Sequence, residues 1–282
     1  MPYAAVLVVL VVVGGAGIAV LRLWPRTVPH PAQVAAIAFL EPGADHRTQS
    51  KLPGDRYGVE SFVGGLPVER QANSTPLYLC RVNDDSFSSL RPDCEGYRLE
   101  EQLGYIFSRP PAGLPSRPVY RCFLAFSGEH FDSLDPTCEG QVRDLFLGYV
   151  LSDIPLLRFY NASTTDHLTD VGPAAPGYQF ESTLGFLLAE PASGTTAVYR
   201  CRFAGDRFTS TDEHCEGKWI GERLGYIYVE PPSGTPTTPI YRCTMTANGE
   251  HFDSTSSSCE GQTSDRFLGY AITASQPPRA AG

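Results

Sequence analysis

Two stretches of this chain nearly coincide. Val119–Gly140 reads VYRCFLAFSGEHFDSLDPTCEG and Ile240–Gly261 reads IYRCTMTANGEHFDSTSSSCEG, identical at 12 of 22 positions. They are the strongest copies of a shorter and weaker period. Units start at Ile37, Tyr78, Tyr120, Leu157, Tyr199 and Tyr241, with spacings of 41, 42, 37, 42 and 42 residues. Each carries an acidic residue at a hairpin turn: Asp45-His46, Asp85-Ser86, Glu129-His130, Asp166-His167, Asp206-Arg207 and Glu250-His251. Each closes on a glycine-containing strand, from Val63-Gly64-Gly65 to Leu268-Gly269-Tyr270. The chain is therefore a sixfold repeat.

A period of three lies over the period of six. Units one and four lack cysteine, units two and five space their cysteines 14 apart (Cys80 and Cys94; Cys201 and Cys215), and units three and six space them 16 apart (Cys122 and Cys138; Cys243 and Cys259). The order is ABC ABC, which favours two similar halves. The 24 prolines and 27 glycines separate short apolar runs, a pattern of short strands joined by turns. The expected fold is all-β: two tandem β-trefoil-like domains of three repeats, with about four strands per repeat. The alternative is a six-bladed β-propeller. The expected boundaries are residues 37–154 and 155–276, each half folding by itself, with a disordered tail at 277–282.

The N-terminus is a separate object. Ala4 to Leu21 carries no charge and reads as a hydrophobic helix, either a signal-anchor or a signal peptide over residues 1–21. Residues 22–36 are proline-rich at first and lack periodicity, so they read as an extended tether.

Unit four, LRFYNASTTDHLTD at Leu157 to Asp170 followed by GYQFESTLGFLL, resembles a short repeat of unknown function found in secreted bacterial and fungal proteins. The pattern of that repeat is roughly L-Y-R-x-Y-N, then D-H-F-Y-T, then G-Y. Units three, five and six keep Tyr-Arg, the acidic turn and Leu-Gly-Tyr; unit two has Leu79 in place of the Arg, and unit one is degenerate. The resemblance implies export and a binding role. It implies no catalytic residues.

Eight cysteines with no leftover, at spacings that recur, read in an exported chain as four disulfides within units: Cys80 with Cys94, Cys122 with Cys138, Cys201 with Cys215 and Cys243 with Cys259. The expected location is outside the cytoplasm, membrane-anchored or secreted. With 31 acidic and 22 basic residues the net charge is -9, which repels nucleic acid. No Cys-x2-Cys or His-x3-His pair points to a metal, and no nucleophile elbow, zinc-protease helix or phosphate loop points to an enzyme or a cofactor.

The candidate ligand residues are polar handles in the acidic turns, Glu129, His130, Asp132, Glu250, His251, Asp253, Asp166 and His167, since carboxylate and imidazole both bond to hydroxyls. To these are added the aromatics Trp219 and Tyr178, which fall before the closing strand, where a flat ring can stack on a sugar. The competing reading of the acidic turns is local turn chemistry. The expected function is an exported, non-catalytic binding module, lectin-like, for glycans or a cell-surface component. A protein-interaction or envelope-structural module is the alternative, and a secreted hydrolase is the lesser one.

Overall fold

The computed structural model describes residues 28–275 except Ala44 and Asp55. The hydrophobic stretch, the first part of the tether and the tail lie outside them. No helix among the described residues is long and apolar enough to cross a membrane.

Each unit supplies three strands, not four: a long one, a short one and a second long one. The first half runs β1 (Gln33–Glu41), β2 (Asp45–Gln49) and β3 (Gly58–Pro67); β4 (Ser74–Val82), β5 (Asp85–Ser89) and β6 (Arg98–Phe107); β7 (Ser116–Leu124), β8 (Glu129–Ser133) and β9 (Val142–Leu151). The second half runs β10 (Ile154–Asn161), β11 (Asp166–Asp170) and β12 (Gln179–Leu187); β13 (Thr195–Phe203), β14 (Asp206–Ser210) and β15 (Trp219–Tyr228); β16 (Thr237–Thr244), β17 (His251–Ser254) and β18 (Thr263–Ile272). The closing strand stays one strand through two single-residue bulges, in β9 at Leu147 and Asp144, where its register with β7 shifts between Val119 and Tyr120 and between Arg121 and Cys122. The first strand starts at Gln33, so the last four residues read as tether belong to β1.

Within a unit the first strand pairs antiparallel with both others, and the units join into two antiparallel sheets of nine strands, one per half. In each half the three short strands meet one another, and so do the three closing strands, so the units circle a pseudo-threefold axis. The joints between units are brief: Gly65 opposite Leu151 and Phe107 opposite Tyr149 in the first half, Phe186 opposite Ile272 and Tyr228 opposite Tyr270 in the second. Backbones pass closely there. A Cβ on Gly148, whose φ is +141°, would lie 2.5 Å from the Phe107 carbonyl oxygen, which is why the closing motif carries glycine.

Each half has its own aliphatic core around the axis, with Leu77, Leu103, Ile106, Val119 and Val150 in the first and Leu156, Leu187, Val198, Ile227 and Ile240 in the second. A third apolar cluster lies between the halves. Ile37 and Phe39 of unit one are buried there with Leu157, Phe159, Phe180 and Phe186 of unit four, and Phe39 meets Phe180 edge-on with ring centroids 5.8 Å apart. The four disulfides pair as the spacing predicts, and no free cysteine remains. Such bonds fit an oxidising environment. Register places Phe39 and Phe159 at the level of Cys80, Cys122, Cys201 and Cys243. The units without cysteine are therefore the two that face each other, and their phenylalanines occupy the level that a cystine fills elsewhere.

Candidate functional site

The acidic turns converge at the axis, and each is tied to a neighbouring unit. In the first half Asp85 accepts from the His130 backbone N–H at 2.9 Å and lies 2.5 Å from His130 Nδ1. Asp45 accepts from the Ser86 backbone N–H and from the Tyr57 hydroxyl. Glu129 closes the ring at 3.3 Å from His46 Nδ1. In the second half Glu250 holds His167, by its N–H at 2.9 Å and its Nδ1 at 2.7 Å, and Asp206 holds His251 at Nδ1, 2.5 Å away. Hydrogen bonding to Asp206 raises the His251 pKa above its ordinary value, and bonding to Glu60 does the same for His46.

Asp166, Asp206 and Glu250 each bring an oxygen within 4.8 Å of the others. This trio has the donor type for a hard cation, but His167, His251 and the Tyr178 hydroxyl already bond to these carboxylates. One layer deeper, Asp253 accepts from the Thr209 hydroxyl at 2.7 and 2.8 Å and is 1% exposed; burial raises its pKa to about 6. Asp132 accepts from Ser88 at 2.6 Å.

The rest of the repeated phrase is also accounted for by contacts. Ser133 and Ser254 donate to Glu139 and Glu260 of Cys-Glu-Gly, and Phe252 packs on the Cys243–Cys259 pair. Of the predicted ligand residues, Glu129, His130, Asp132, Asp166, His167, Glu250, His251 and Asp253 thus form the axial network, and Tyr178 is tied to Asp166. Trp219 stands apart, 79% exposed at the start of β15.

Trp219 borders a depression of about 320 Å³, lined also by Arg202, Phe203, Asp206, Arg207 and the Ala204-Gly205 turn. That turn has positive φ at both residues, which suits a two-residue hairpin between twisted strands and brings Phe203 and Asp206 to its two ends. Lys218 Nζ lies 4.0 Å from the Phe203 ring centroid. The arginines of this depression were not among the predicted site residues. The available signal was the one unit whose acidic turn is followed by Arg207, where four others have His and unit two has Ser86. Compared with protein-family models, with curated proteins and with solved structures, the chain matches none.

Proposed function

We propose that the chain is a non-catalytic binding module that takes a sugar at the hairpin end of unit five. The observation that carries this reading is Trp219: a ring 79% exposed, beside a depression lined by Arg202, Asp206 and Arg207. An indole face exposed next to fixed hydrogen-bonding groups suits a pyranose, which is apolar on one face and polar at its edge. The scaffold reads as a pair of trefoil-like rings, in which symmetry uses the repeated residues for architecture. Recognition then falls to residues that differ between units. The resemblance of unit four to the secreted repeat, and the disulfides, support a place outside the cytoplasm.

A glycan array probed with the purified protein tests this. Binding that is lost in Trp219→Ala, with the thermal transition unchanged, supports the reading. An array without signal, together with capture of a protein partner through the same face, favours the interaction-module alternative.

A further inference from the structure

Across the three strands of unit five, Arg207 stands directly opposite Arg202, and Arg202 directly opposite Trp219. Directly opposed residues project from the same face of a sheet, and like charges so placed destabilise it. The Arg207 guanidinium lies over the Tyr178 ring at 5.9 Å. Among the described residues no carboxylate forms an ion pair with Arg202 or Arg207, although their neighbour Arg200 has two such partners, Asp170 and Glu222.

The other five units show what unit five lacks. Each closing strand bulges by one residue just past the level of the cystine or phenylalanine. The bulged residue is Glu60, Glu100, Asp144, Glu181 or Asp265 in units one, two, three, four and six. Each of these carboxylates faces at least one basic side chain, His46 alone in the case of Glu60. Asp144 accepts from Arg121 Nε at 2.5 Å and lies 3.8 Å from His130. Asp265 accepts from Arg242 Nε at 2.5 Å and lies 3.7 Å from His251. Unit two is the closest parallel, because it too sets two arginines opposite each other, Arg81 and Arg98. There Glu100 reaches both, at 3.7 and 2.7 Å.

In unit five the bulged residue is Gly221. Arg200 is the counterpart of Arg121 and Arg242, and its Nε is buried with no hydrogen-bond partner. The chain has no simple way to restore the missing group, since a Cβ on Gly221 would lie 2.5 Å from the Arg200 carbonyl oxygen.

We propose that unit five binds the carboxylate of an acidic sugar, which takes the place that a bulge carboxylate fills in the other five units, between Arg200 and Arg207, while the sugar ring lies on Trp219. This rests on the sugar-binding reading above and adds the selection of charge. A guanidinium pair is the best-matched protein partner for a carboxylate, and Lys218 Nζ, 4.0 Å from the ring centroid of Phe203, which lines the depression, adds a further cation nearby. Asp206 also lines it, but Asp206 Oδ2 is turned to His251 Nδ1 at 2.5 Å. A net charge of -9 gives no general attraction for anions, so the selection has to be local.

The test is calorimetric titration of the purified protein with a uronate oligosaccharide, with the same oligosaccharide methyl-esterified, and with polyglutamate. The uronate should bind, and more weakly as salt is raised. Esterification and Arg207→Gln should each weaken it about tenfold or more, as expected for loss of a charge-assisted contact. Arg207→Gln should not lower the melting temperature, because it removes a like-charge pair. Equal binding of uronate and ester, or Arg207→Gln binding like the parent, overturns the proposal. So does a fall of several degrees in the melting temperature of that variant, which makes Arg207 scaffold, or polyglutamate binding as tightly as the uronate. Neutral-sugar binding that depends on Trp219 but not on Arg207 leaves the sugar-binding reading standing and removes only this one.

Discussion

Arg242 of unit six holds Glu216 of unit five with two prongs, Nη1 to Oε1 at 2.9 Å and Nη2 to Oε2 at 3.0 Å. Arg121 of unit three holds Glu95 of unit two in the same way, and Arg158 of unit four reaches Glu260 of unit six. In these three pairs an arginine of the first strand and the Glu of Cys-Glu-Gly clamp adjacent units to each other, while Arg200 of unit five turns to Asp170 and Glu222 instead. Each glutamate is presented from a backbone of positive φ, with Glu216 at 55°, so the turn is strained to deliver it. Arg242 is almost wholly buried. Arg242→Ala should cost on the order of 2–4 kcal/mol, because it strands Glu216 and Asp265, and differential scanning calorimetry should show the melting temperature falling by roughly 5–10 °C.

The same clamp gives an acid limb. Arg242 holds the Glu216 carboxyl down to about 2, against an ordinary value of 4.5. A depressed folded-state pKa contributes stability that is complete above the unfolded value and is lost as pH falls through the folded one. Glu216 should therefore cost the fold stability between about pH 4.5 and 2. In Glu216→Gln this part of the pH dependence should flatten in denaturant titrations, even though the variant is weaker at neutral pH.

Asp253 carries the opposite sign. Burial raises its carboxyl to about 6 from an ordinary 3.8, so between those values the folded state holds a proton that the unfolded chain releases. Stability then falls as pH rises from about 4 to 6, and the full cost of the buried charge is present above that. Asp253→Asn keeps a group that can accept from Thr209. It should be more stable than the parent at pH 8, and the difference should shrink steadily toward pH 4. A difference that does not change with pH would show that Asp253 does not titrate in this range.

The parts of this fold legible in the sequence are those carried within one unit. Cystine partners lie 14 or 16 residues apart, and the closing glycine sits in its own strand, so period and spacing suffice. Contacts between units were hidden. Arg121 and Glu95 are 26 residues apart, and nothing in either motif says that the other is its partner until the units are arranged around an axis. The acidic turns read in the sequence as polar handles or as local turn chemistry, and the hydrogen bonds that tie them from one unit to the next appear only once the units are arranged around the axis. Unit five's gap was present in the letters as Gly221, but seeing it requires the bulge register that aligns Gly221 with Asp144 and Asp265. Periodicity does not reveal those bulges inside a single closing strand, nor that each unit has three strands instead of four.

The ABC order pointed to two halves but left open what joins them. Phe39 and Phe159 stand where the other units have cystines, and Phe39, Phe159 and Phe180 pack together edge-on across the junction. The strand that begins the first half also joins the end of the second: Gln33 donates to the Thr273 carbonyl at 3.1 Å and accepts from the Ser275 N–H at 2.7 Å. Beside them His30 Nδ1 and Gln33 Nε2 share Asp153, at 2.8 and 2.6 Å. Halves that share a core in this way should not behave as independent folding units, although each closes its own ring. Phe39→Ala should destabilise by about 3–5 kcal/mol through lost burial and a cavity, and both halves should shift together in a single calorimetric transition. Cutting the chain between Ile154 and Pro155 should leave fragments that aggregate, or that regain their folded far-UV signal only when mixed, because Phe39 and Phe180 would each face water. Two soluble fragments melting separately, each near the parent temperature, would show instead that the aromatic junction adds little and that each ring is stabilised by its own core.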